Sequence, residues 1–72
     1  MSMTEYEKMN SPEYQPREYS TIWFRGNGEY AIAYNIIEEK FFVFIDKELV
    51  DKKETLDQAY EMCDNHYDSN IH

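Results

Sequence analysis

Two hydrophobic rhythms follow one another along this chain. Ser20 to Arg25 (Ser-Thr-Ile-Trp-Phe-Arg) is a β-type run closed by Gly26-Asn27-Gly28. Asn-Gly between two apolar runs is the strongest short-range hairpin signal, because the favoured two-residue turns need positive φ. From Glu29 to Ile37 the large residues Tyr30, Ile32, Tyr34 and Ile36 alternate with Ala31, Ala33 and Asn35. Period two over that length predicts a strand. Glu38-Glu39-Lys40 supplies the next turn, and Phe41 to Ile45 is the most apolar strand, its continuity predicting burial on both faces. Two short connections make these three strands an antiparallel meander. Asp46 to Lys53 reads as a charged connection carrying Leu49 and Val50, a lid at the sheet edge.

The rhythm then changes. Thr55-Leu56-Asp57-Gln58 fits a capping box, so a helix begins at Thr55. Leu56, Ala59, Tyr60, Cys63 and Tyr67 fall within an arc of about 100° on the helical wheel, the face expected to pack on the sheet. Residues 1–19 are polar and rich in Tyr and Glu, with Pro12 and Pro16 disfavouring helix at the residues before them. They read as an irregular arm, with one turn of helix from Thr4 to Met9 as an option. The expected fold is therefore α+β: a three-stranded antiparallel meander with one C-terminal helix (βββα) over residues 20–72, preceded by the arm 1–19. One helix covers one face of a sheet, so the other must be closed by the arm, by a second copy or by a partner. Alternation offers each strand two candidate sets, Ile22 and Phe24 or Trp23, and Phe42 and Phe44 or Phe41, Val43 and Ile45. It does not choose between them.

Charge adds the most to this picture. The 72 residues carry a net charge of −8, and residues 54–72 alone contribute −5. Glu54, Asp57, Glu61, Asp64 and Asp68 recur at spacings of 3, 4, 3 and 4, with no Lys or Arg after Lys53. On a helix these five share an arc of about 80°, centred about 120° from the apolar arc. Solvated helix faces usually mix signs, since like charges at i,i+4 are mildly destabilising. Carboxylates near a helix C-terminus also oppose the macrodipole, by roughly 0.3–1 kcal/mol each. A solubilising surface explains such a stripe in the ordinary way. A sharper explanation is mimicry of a nucleic-acid backbone. The carboxylates rise about 5 Å from one to the next, as a short row of phosphates for a Lys/Arg groove. Glu38 and Glu39 in the second turn could lengthen that row.

Composition excludes several alternatives. Without clustered Lys and Arg there is no footprint for direct nucleic-acid binding, and acidity repels anionic membranes too. No apolar run approaches the roughly 20 residues of a membrane span. The start lacks the blocks of a signal peptide, and the single Cys63 has no partner for a bridge. The expectation is a cytoplasmic protein. No cofactor is called for. Asp64, His66, Asp68 and His72 invite a metal reading, but His66 points about 160° from Asp64 on the wheel. Cys63 with His66 one turn along is a poor nucleophile pair, because a thiol in the middle of an apolar face is a small buried hydrophobe. Catalysis is not expected. Aromatics number 12. Trp23, Tyr30, Tyr34 and Phe42 read first as core, and any exposed part, Trp23 and Tyr34 above all, as protein contact.

A compact acidic chain of this size, aromatic-rich and lacking catalytic equipment, resembles the small phage-encoded inhibitors of host defence or transcription. These include anti-CRISPR and anti-restriction proteins of the DNA-mimic type. Locally, Glu54-Thr55-Leu56-Asp57 with Ala59 and Glu61 is similar to the helix start of a bacteriophage inhibitor of host RNA polymerase. The resemblance implies a non-enzymatic inhibitor in a bacterial host cell, and transfers no functional residues. The expected partner is a basic nucleic-acid-binding protein or complex, met by the stripe, Glu38, Glu39, Trp23 and Tyr34. The competing expectation is a structural or regulatory module, a homodimer through an exposed aromatic sheet face, without mimicry.

Overall fold

The alternation in residues 29–37 does build a strand, and it sits at the centre of an antiparallel sheet. The computed structural model describes residues 3–15, 17–26 and 28–70. Pro16, the Asn27 of the hairpin signal and His72 of the metal reading lie outside the described residues. The elements in chain order are α1 (Glu5–Met9), β1 (Tyr19–Arg25), β2 (Tyr30–Asn35), β3 (Lys40–Ile45), β4 (Glu48–Lys53) and α2 (Leu56–Asn70). The strands pair in sequence order, all antiparallel. The fold is α+β.

The sheet has four strands, not the three expected. Segment 46–53 is a tight turn and an edge strand, where the sequence reads as a lid. Asp46 and Lys47 form the turn with φ of 52° and 71°, so that Ile45 faces Glu48 and Phe44 faces Leu49. Turns of this kind favour Asn-Gly. Asp-Lys supplies the backbone shape without the residue signature, and the charges of Glu48, Asp51, Lys52 and Lys53 conceal the strand. A register shift between Val43 and Phe44 leaves Val50 as the extra residue of a bulge.

The arm is also more ordered than an irregular segment. Thr4 and Glu7 form a complete capping box, the Thr4 hydroxyl accepting the Glu7 N–H at 3.2 Å and the Glu7 carboxylate accepting the Thr4 N–H at 2.9 Å. The Gln15 side-chain amide donates to the Met9 carbonyl. The Tyr14 carbonyl accepts the Glu18 and Tyr19 N–H groups at 2.7 and 3.2 Å, turning the chain into β1.

Both faces of the sheet are covered. On one, Tyr30, Ile32, Val43 and Ile45 pack with Ala59 and Cys63 of α2, flanked by Trp23, Phe41, Leu56, Tyr60 and Met62. On the other, Ala31, Ala33, Phe42 and Phe44 pack with Met9 and Tyr19, flanked by Tyr6, Ile22 and Leu49. The choice that alternation left open is thus made: Trp23, Phe41, Val43 and Ile45 lie under α2. The opposite face, left for an arm, a copy or a partner, is closed by the chain's own arm. Tyr6 meets Phe44 and Tyr19 meets Phe42 in edge-to-face pairs, each 5.7 Å between centroids. Such pairs add to the stabilisation given by area alone. The Tyr19 hydroxyl donates to the Glu5 carboxylate and ties α1 to the start of β1.

Candidate functional site

Helix α2 presents the acidic stripe as a surface feature. Thr55 caps it, its hydroxyl accepting the Gln58 N–H at 3.1 Å, and Glu54 stands just before the first turn. Glu54, Asp57, Glu61, Asp64 and Asp68 are all exposed. No basic residue occupies the last turn, so nothing on the helix itself offsets the negative pole of its dipole.

The buried side of α2 differs in detail from the sequence arc. Leu56, Ala59, Tyr60 and Cys63 pack as expected, and Met62 joins them. Tyr67 remains 49% exposed, meeting Tyr30 only edge-on at 6.5 Å. His66 takes the inward place instead, its Nδ1 lying 2.9 Å from the Tyr30 hydroxyl. There the imidazole gives the Tyr30 hydroxyl the hydrogen-bond partner that a buried tyrosine needs. This rotation turns the acidic side further toward solvent.

Two cations border the stripe. Arg25, at the end of β1, stacks over the Tyr60 ring at 4.6 Å and pairs with Asp64 at 3.2 Å. Both charged groups of that pair are about half exposed, so the pair is worth little net stability. It still neutralises one carboxylate of five. On the other flank Lys53 lines a shallow groove with Gln58, Glu61, Met62 and Asn65, while its ammonium pairs with Asp51 at 3.1 Å. Among the described residues, Glu54, Asp57, Glu61 and Asp68 make no ion pair. The two turn residues divide. Glu38 is held by Lys52 through both carboxylate oxygens at 3.1 Å, whereas Glu39 is exposed with φ of 56°. Trp23 and Tyr34 are half-buried on the α2 side of the sheet, both beside Phe41.

A cleft of about 220 Å³ opens beside the stripe, lined by Arg25, Gly26, Tyr30, Cys63, Asp64 and Tyr67. Cys63 is buried, and burial, reinforced by Asp64, raises its thiol pKa. A protonated thiol is a weak nucleophile. Among the described residues no three His, Cys, Asp or Glu side chains gather as metal ligands, and no helix is long and apolar enough to cross a membrane.

Sequence reasoning missed Arg25 as a neighbour of the stripe, since 39 positions separate it from Asp64. It also missed Ile37, which stands 67% exposed in the turn beside Glu38 and Glu39. Its place in the alternating run 29–37 was a signal for strand, but β2 ends at Asn35. There the Asn35 side chain accepts the Glu38 N–H at 2.8 Å and closes the turn. No family model matches the chain, and neither a curated protein nor a solved structure matches it.

Proposed function

We propose that this protein is a non-enzymatic inhibitor that lays the outer side of α2 into a basic, nucleic-acid-binding surface of another protein. The observation that carries this reading is the exposed, one-signed row on α2. Four of its five carboxylates have no ion pair among the described residues. Helix length supports it as well: 15 residues extend about 22 Å, enough for a short run of phosphate positions. The partner is a Lys/Arg-rich groove, the expected setting is the cytoplasm of a bacterial host, and nucleic acid itself is not bound. Glu39 and the exposed Ile37 extend the contact at the turn.

Affinity of this kind is electrostatic and falls as salt rises. The test is capture of a partner from a bacterial lysate with the immobilised chain, eluted by a salt gradient and competed with DNA or RNA. Elution by nucleic acid is expected. Asp57, Glu61 and Asp68 should then be reversed to Lys together, leaving Asp64 in place because it holds Arg25. Loss of capture with an unchanged fold supports the proposal. Capture that survives this triple reversal overturns it.

A further inference from the structure

The two edges of the sheet are built differently. β4 carries Glu48, Asp51, Lys52 and Lys53 and is bulged at Val50, the usual devices that keep an edge from pairing with another chain. β1 has neither device over most of its length. From Ser20 to Phe24 it carries no charge and no proline. Its one irregularity lies between Tyr19 and Ile22, leaving Ile22–Arg25 in regular register with Ala33–Tyr30. The Tyr14 carbonyl occupies the Tyr19 end of this edge. Among the described residues no backbone hydrogen bond beyond the ladder to β2 reaches Ser20–Arg25. Phe24, in this stretch, is 57% exposed.

We propose that β1 is the interface between two copies of this chain, paired antiparallel about Trp23 into one continuous eight-stranded sheet. The strand is self-complementary in that register. Ile22 and Phe24 pair with Ala33 and Ala31 of the arm-covered face, and Trp23 pairs with Ile32 of the α2 face. Centring on Trp23 sets Ile22 of each copy beside Phe24 of the other, and Trp23 beside Trp23, like face against like face. A slip by one residue would oppose residues of opposite faces. In this register Arg25 of each strand falls opposite Thr21 of the other, so no like charges meet across the pair. The paired stretch Ser20–Phe24 itself carries no carboxylate, so two chains of net charge −8 bring no acidic side chains of β1 together. The two-fold axis runs normal to the sheet, so both α2 helices lie on the same side of the assembly.

The test is sedimentation velocity over a concentration series, read together with emission of the single tryptophan, Trp23. The expected result is twice the 8.8 kDa chain mass, with a blue shift as the dimer forms. Phe24→Glu should give a monomer with the far-UV circular dichroism and melting point of the parent, since Phe24 adds little to the core. Val50→Glu on the other edge should stay dimeric. A chain that is monomeric at every concentration, whatever foreign strand β1 then accepts, overturns the proposal. So does a dimer that survives Phe24→Glu or is lost on Val50→Glu. Should Phe24→Glu fail to fold, the concentration dependence of mass and Trp23 emission in the parent chain still decides.

Discussion

The two faces of this sheet are sealed by different means. One lies under α2, fifteen residues long, which brings Leu56, Ala59, Met62 and Cys63 onto Tyr30, Ile32, Val43 and Ile45. The other lies under α1, five residues long. Isolated helices below about 12–15 residues are marginal in water, so α1 depends on what it docks against. Its anchors are Met9 and Tyr6 in the core and the Tyr19–Glu5 hydrogen bond. The long helix therefore spends one side on the core and leaves the other free for charge. The short helix has no side to spare. Division of labour between the two faces is what frees the acidic surface.

The strongest way to break this comparison is to remove a ring or branched chain from each face. Phe44→Ala on the arm face should cost roughly 3–5 kcal/mol, and Ile32→Ala on the α2 face roughly 2–5 kcal/mol. Urea unfolding measures both. A single cooperative transition in each case means the two faces form one core. Met9→Ala comes next. Met9 is fully buried, so its loss should cost roughly 2 kcal/mol or more. A cost near zero would show that the arm adds nothing to the second face.

The polar tie predicts a pH response on the arm face. The hydrogen bond from Tyr19, with Lys8 alongside, holds the Glu5 carboxyl below its ordinary range. Stability from that group is present above the ordinary carboxylate pKa and is lost as pH falls through the lowered value. Burial, helped by Glu5, drives the Tyr19 phenol well above its ordinary value. That contribution is full below the ordinary phenol pKa and fades as pH rises toward the raised one. Denaturation across pH should show both limbs. Glu5→Gln should weaken the acidic limb, to which Asp51 also contributes. Tyr19→Phe should weaken the alkaline one, leaving the share of Tyr30 and Cys63, which burial also raises. Tyr19→Phe should cost roughly 1.5–3 kcal/mol at neutral pH, since its bond is to a carboxylate.

The smallest effect sharpens the contrast on α2 itself. Asp68 stands near the negative pole of the helix, where a cation is favoured. Asp68→Lys should raise stability by roughly 0.3–1 kcal/mol in melts at low salt. On the proposed function the same change weakens partner capture. Opposite signs for stability and binding would mark the stripe as kept for contact at a small cost to folding.

Much of this was legible along the chain. The alternation at Tyr30–Tyr34, the apolar run at 41–45 and the cap at Thr55 are local signals, and local backbone physics decides strands, turns and helix starts. Signals failed where residue type and backbone shape part company. Asp46-Lys47 adopts positive φ without glycine, and β4 hides its strand among charges because an edge strand faces water.

Sequence alone thus determined the α+β class, the C-terminal helix beginning at Thr55, one residue before its observed start, and the one-sided row of carboxylates, since each follows from patterns within a single element. Tertiary structure alone decided which set of strand residues lies under α2. It alone closed the second face with Met9 and Tyr19, placed Arg25 against Asp64, and turned His66 inward in place of Tyr67. Those outcomes depend on contacts between residues far apart in the chain, whose energies no local pattern encodes.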